Sequence, residues 1–381
     1  MFDSSLRYAL SAFGFQFNPF EHLEASQDPR LGEYLIGHEA LELVSKPQAA
    51  QVFALPGAGK TALRIAVGRA CALAFGGQPA LPVSYNLPEL FPQLNPPPTP
   101  DAHTAAILRR AALSLLIGLS FRPELFLSRS PAEQNALARL LRSLLRTPPL
   151  EYYLDMLRNA DPRRLAERFD RTYAFLTPPA PRPLTALCQQ LSADSTPMPF
   201  SPDLHRIFFE QVQALGFNAI FILLDGADGF AGSVEAPDQV AEALQPLLRE
   251  AADWASQGWV IKAFLPMELR PYQSDSANFQ TIALDWQDDE LIRILQRRIY
   301  IASQGQTETF DAFCDGLRNI EAGLVGHLLR PLPREAICLA NTLLHTFAER
   351  AGRGGEALCS ADIEQAIQRY SISLGSPILQ A

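Results

Sequence analysis

Five short apolar runs constrain this chain more than any other feature: Gln51–Leu55, Leu81–Tyr85, Ala219–Leu224, Trp259–Leu265 and Gln280–Leu284. The central ones lack the alternation of apolar and polar residues that marks a strand with one wet face. Unbroken Val, Ile, Leu and Phe instead marks strands buried on both sides. Such strands belong to parallel sheets with helices on each face. Helical sequence does separate the runs. Thr61–Phe75 presents Leu63, Ile65, Ala66, Val67, Ala70 and Ala74 as a buried side, and Pro237–Trp254 reads as a second helix.

The rest of the chain is helical in pattern. Residues 1–50 read as a helical entry segment, with Glu33–Val44 at helical spacing. Residues 51–285 are expected to form the sheet core, interrupted at 88–200 by a helical insertion. Its helices are expected at His103–Leu119, Ser130–Leu145 and Asp161–Leu176, with Leu87–Pro100 and Pro178–Pro183 as proline-rich linkers. Residues 286–381 are expected to form an all-helical lid domain, with helices at Asp289–Ser303, Thr309–Ala322, Arg334–Arg350 and Ser360–Tyr370.

Composition excludes several function classes. The net charge of −9 gives no overall basic field for nucleic acid. The five cysteines form no C-x-x-C pair and no H-E-x-x-H is present, which argues against a zinc site and a disulfide framework. No secretory signal is read at Met1–Phe20, and apolar stretches break within about a dozen residues, too short for a bilayer. The expected location is therefore the cytoplasm, without a membrane partner.

The first chemical motif follows the first strand: Ala54-Leu55-Pro56-Gly57-Ala58-Gly59-Lys60-Thr61. It fits G-x-x-x-x-G-K-[ST] except that Ala54 replaces the first glycine. Gly57 and Gly59 let backbone amides turn inward around a phosphate. Lys60 supplies a point charge to the β- and γ-phosphates, and the Thr61 hydroxyl is a Mg²⁺ ligand. Pro56, Ala58 and Ala62 complete the nucleotide contact. The loop opens a helix, whose amino end favours an anion. Lysine is rare here: only Lys46, Lys60 and Lys262 occur, against 29 arginines (32 minus 3). One of the three stands where arginine substitutes poorly.

The second motif ends the third run, at Asp225-Gly226-Ala227-Asp228-Gly229. An apolar strand that ends in aspartate delivers a carboxylate to the sheet edge, where it holds Mg²⁺. Asp225 is that residue. Gly226 stands where many ATPases carry the glutamate that activates water, and the nearest other carboxylate is Asp228.

Asp225 to Gly229 resembles the D-G-x-D-E signature of NACHT and related STAND-class ATPases, relatives of AAA+ proteins. The resemblance covers most of residues 1–85 and 219–370. It implies that Asp228 polarises the attacking water. Gly229 replaces the final acidic residue, which implies slow hydrolysis. By the same resemblance Lys262 stands near the position of a sensor 1 group. Arg270 is similar to an arginine finger offered to a neighbouring subunit. Arg334, in Pro333-Arg334, is similar to the sensor 2 arginine of AAA+ and ORC-type lids. Leu284-Asp285-Trp286 with Leu291, Leu295 and Arg298 has the look of a lid beginning.

These features imply an α/β P-loop NTPase core with a helical lid that binds ATP and Mg²⁺. The expected role is a molecular switch that self-associates and controls a separate protein effector or sensor, as in bacterial signalling or defence. Two other readings stand beside it. A DNA-acting AAA+ ATPase predicts a basic stripe and salt-dependent DNA binding. A nucleotide-holding scaffold predicts no turnover.

Overall fold

The computed structural model describes residues 4–73, 80–159, 161–193, 196–198, 203–230, 237–272, 279–314, 316–351 and 357–374. The five apolar runs form one parallel sheet: β1 (Ala50–Ala54), β2 (Ala80–Asn86), β3 (Ala219–Asp225), β4 (Trp259–Pro266) and β5 (Gln280–Ala283). The strand order is β2-β3-β4-β1-β5. β1, β3 and β4 are buried at every residue, in keeping with their mostly apolar sequence; Gln51, Asp225 and Lys262 are the polar and charged exceptions. The edge strand β5 buries only Ile282.

β2 is also an edge strand, which is where its Pro82 can sit without removing a ladder hydrogen bond. Unlike β5 it is mostly buried, because the insertion helix Pro100–Phe121 packs on it. That helix is long and apolar enough to cross a membrane, against the expectation that apolar stretches are all too short. Its apolar window is 72% buried within the protein, and Leu113, Leu115, Leu116 and Ile117 all belong to the core around the sheet. Nearly all-round burial explains its hydropathy.

The chain forms two compact units that cut across the expected segments. One contains the sheet: Glu39–Ala54 and Leu63–Ala283, with the helical insertion part of the same core. The other joins the amino-terminal residues through His38, the segment Leu55–Ala62, and the chain from Leu284 onward. Its core interleaves Leu6, Phe13 and Phe20 from the entry segment with Leu295, Phe310 and Phe347. The Arg298 guanidinium, buried in this unit, donates to Pro19 O at 2.6 Å and pairs with Asp28 at 3.1 Å. The entry segment is thus divided at His38, and its first part belongs with the carboxyl-terminal helices.

Several element boundaries differ from expectation for local reasons. The helix expected at Glu33–Val44 is two short helices, Leu31–Tyr34 and Glu39–Val44, broken over residues 35–38. The helix expected at Thr309–Ala322 is a 3-10 turn, Phe310–Phe313, and a short helix, Ile320–Val325. Gly316 and Asn319 between them have φ of 81° and 59°, which no right-handed helix accepts. Part of the Pro178–Pro183 linker opens a helix, Pro181–Ala193, since proline suits a first turn. Helices at Leu150–Asn159 and Leu204–Ala214 were not expected. The helix expected at Thr61–Phe75 spans Lys60–Leu73, and its last expected residues lie outside the described ones.

Candidate functional site

The loop after β1 bends at its glycines. Ala58 N–H donates to Leu55 O at 3.1 Å, closing a turn with Pro56 and Gly57 at its centre. Gly57 has φ of 85° and Gly59 of 93°, a region L side chains rarely adopt. Proline followed by a positive-φ glycine is the pattern of a type II turn. The helix Lys60–Leu73 begins directly after, so Lys60, Thr61 and Ala62 form its first turn. Lys60 is buried, and its Nζ donates back across the loop to Leu55 O at 3.3 Å.

Three groups of the same unit close around this loop. The Arg334 backbone N–H donates to Gly57 O at 3.2 Å. Its side chain lies over Gly57 so closely that a Cβ there would meet Arg334 Cβ at 3.1 Å and Nε at 3.5 Å. The Arg334 guanidinium pairs with Glu24 at 2.7 Å. The Trp286 indole donates to Ala58 O at 2.7 Å, and the His38 ring packs on Trp286 with centroids 4.6 Å apart. Arg334 was named from sequence; Glu24 and His38 were not. They lie in the entry segment, and no spacing rule connects residue 24 to residue 334.

The acidic strand end lies in the sheet unit. Asp225 is buried at the last position of β3, in register with Asn86 of β2. Its Oδ1 accepts from Gly226 N–H at 2.8 Å, and its Oδ2 accepts from Arg64 Nε at 2.9 Å. Gly226 has φ of 85°, and a Cβ on it would meet Asn86 Oδ1 at 2.7 Å and Pro88 Cδ at 2.8 Å. A side chain there would require the Asn86 amide or the Pro88 ring to shift, at a φ that L residues rarely adopt. Asp228 is exposed in the 3-10 turn Ala227–Gly229.

Arg64 is the member of this site that the sequence reading missed. It stands one helical turn after Lys60, and nothing in the motif asks for a cation there. Only the register of the helix against β3 brings it to Asp225.

Lys262 does not stand where a γ-phosphate sensor would. It is opposite Ala50, the first residue of β1, at the strand's amino end. The loop Leu55–Gly59 follows the carboxyl end. Lys262 is fully buried; its Nζ donates to the carbonyls of Lys46 and Gln48 and lies 4.7 Å from the Phe221 ring centroid. Burial pushes its pKa down to about 7, with an opposing upward pull from Cys71. It ties the segment before β1 to the sheet.

Arg270 is exposed in the 3-10 turn Met267–Tyr272 directly after β4. Among the described residues it makes no ion pair. The described residues contain no cluster of three His, Cys, Asp or Glu able to hold a metal. A phosphate-bound Mg²⁺ needs no such cluster, because nucleotide oxygens and water supply most of its ligands.

Comparison with known protein families, curated proteins and solved structures finds no match.

Proposed function

We propose that this chain is a nucleoside-triphosphate-binding switch that hydrolyses ATP slowly. One observation carries the reading: two positive-φ glycines bend the loop Leu55–Gly59 directly into a helix whose first residue is a buried lysine. A glycine-bent loop, a helix amino end and a lysine in succession suit the phosphates of a nucleotide.

Strand order supports it. The chain leaves β1 for the far edge at β2, then returns by β3 to β4, and crosses beyond β1 to β5. Connections from the neighbours β1 and β4 thus depart in opposite directions. In open parallel sheets such a switch point leaves a crevice at the carboxyl ends of the strands, where ligands bind.

In this reading Gly57, Ala58, Gly59 and Lys60 hold the phosphates, with Pro56 and Ala62 flanking them. Thr61 would offer a hydroxyl oxygen to Mg²⁺ beside Lys60, and Asp225 in the sheet unit is the carboxylate that would serve the ion, whose charge would offset that of the phosphates. Asp228 orients the water. Its exposure and the glycine at 226, where many ATPases carry glutamate, fit a slow reaction. Arg334, whose own N–H binds the phosphate loop, fits a lid arginine that exchanges Glu24 for nucleotide. Arg270 is open to a second copy or a protein effector, as a STAND- or AAA-like switch in bacterial signalling or defence would require.

Calorimetric titration with ATP and Mg²⁺ tests the core claim. Lys60→Ala is expected to weaken binding by about 10-fold or more, the value of one charge-assisted phosphate contact of roughly 1.5–3 kcal/mol. Equal affinity in wild type and variant rejects the assignment.

A further inference from the structure

The surroundings of Asp225 extend beyond the strand end. Arg64 is three-quarters or more shielded from solvent, with 15% of its side chain accessible, and forks between two acceptors. Its Nε binds Asp225, and its Nη1 donates to Ser84 Oγ at 3.2 Å. Ser84 Oγ in turn donates to Asp170 Oδ1 at 3.1 Å. Asp170 is buried at the end of the insertion helix Pro162–Phe169. It accepts from Thr172 N–H at 3.0 Å, from the Thr172 hydroxyl, and from Ser114 Oγ at 3.1 Å.

The guanidinium therefore pairs directly with Asp225 and is linked to Asp170 through the Ser84 hydroxyl. The helix that carries Arg64 also meets the insertion elsewhere, with Arg69 over the Phe175 ring at 4.1 Å. A Cβ on Gly68 would meet Thr172 Cγ2 at 2.9 Å and Leu223 Cδ1 of β3 at 3.4 Å. The helix that carries Arg64 is held between β3 and the Asp170–Thr172 turn, with no slack at that crossing.

We propose that Arg64 is the positioning residue of Asp225: an internal cation that holds the carboxylate, competes with a divalent ion for it, and links that exchange to the Asp170–Thr172 turn of the insertion. When a divalent ion takes Asp225, the guanidinium loses its stronger partner and is drawn to the Ser84–Asp170 side. The insertion, which has no chemical motif of its own, thereby senses the charge state of the strand end. This deepens the Mg²⁺ role given to Asp225 above, yet the competition needs no nucleotide.

The test is Mn²⁺ binding to the full chain without nucleotide, read as loss of the free-ion electron paramagnetic resonance signal. Removing a positive charge within hydrogen-bond distance of Asp225 is expected to tighten Mn²⁺ at least 10-fold in Arg64→Leu. Adding Asp225→Asn to that variant is expected to abolish the gain. Arg64→Lys preserves a buried cation but cannot bridge both acceptors, so it is expected to tighten Mn²⁺ about 3-fold and serves if the leucine variant does not fold. In wild type, saturating Mn²⁺ is expected to speed amide hydrogen exchange at Thr172. If neither variant binds Mn²⁺ more tightly than wild type, or the gain survives Asp225→Asn, the proposal is overturned. Because Lys60 and the loop take no part, failure of ATP binding in Lys60-intact protein would be a separate result.

Discussion

Lys262→Met separates a buried structural cation from a phosphate sensor. The free lysine pKa is 10.5 and the buried one is about 7. That difference of about 3.5 units corresponds to at most about 5 kcal/mol at roughly 1.36 kcal/mol per unit. The sign follows from proton counting. Between pH 7 and 10.5 the unfolded chain holds this proton and the folded chain releases it, so stability rises with pH through that window. The carbonyls of Lys46 and Gln48 accept from the ammonium and oppose the shift, which lowers the expected gain to about 2–4 kcal/mol.

Methionine fills the same volume without a charge and removes this dependence. The effect must be read as a difference between wild type and variant, because the buried Cys71 thiol, pushed up to about 12, pulls stability the other way as pH rises. Urea unfolding at pH 7, 8, 9 and 10 provides the curve. Trp259 is buried on the same strand and reports the sheet unit, and Trp286→Phe removes the signal of the other unit. The wild type is expected to gain on Lys262→Met steadily, by up to about 1.4 kcal/mol per pH unit. Parallel curves across this range would refute a buried, pH-sensitive ammonium. ATP affinity is expected to stay within about 2-fold, roughly 0.4 kcal/mol, since Lys262 lies at the amino end of β1; a loss of 10-fold or more would restore the sensor role.

Two other changes probe the candidate sites. Gly226→Ala forces a Cβ against Asn86 and Pro88 at a positive φ, and is expected to cost about 2–5 kcal/mol of stability in the sheet unit; a change below about 0.5 kcal/mol in urea unfolding would show that the strand end yields. Glu24→Gln removes the carboxylate paired with Arg334 and is expected to tighten ATP by about 2- to 5-fold, the range of a partly exposed ion pair. Unchanged or weaker binding in a fluorescent-nucleotide titration would show that Arg334 does not exchange Glu24 for phosphate.

The sheet was legible because burial on both faces leaves a sequence no freedom to alternate. QVFA in β1, AIFILL in β3 and WVIKAFL in β4 each announced their place. The bend of the loop after β1 was legible for a similar reason, since Gly57 and Gly59 suit its positive backbone angles. The insertion was harder. Pro100–Phe121 passes for a membrane span by length and hydropathy because most of its surface lies against apolar protein, and hydropathy does not distinguish protein from lipid.

Residue identities alone thus determined the parallel sheet, the glycine-bent loop before Lys60, and the carboxylate at the end of β3. Tertiary structure decided which charges meet. It paired Arg64 with Asp225 across 161 positions and Arg334 with Glu24, and it turned Lys262 to the amino end of β1. The physical reason is that local sequence fixes backbone angles and burial patterns, which act over a few residues. The partner of a charged side chain depends instead on how elements distant in the chain are packed together, and no local spacing encodes that.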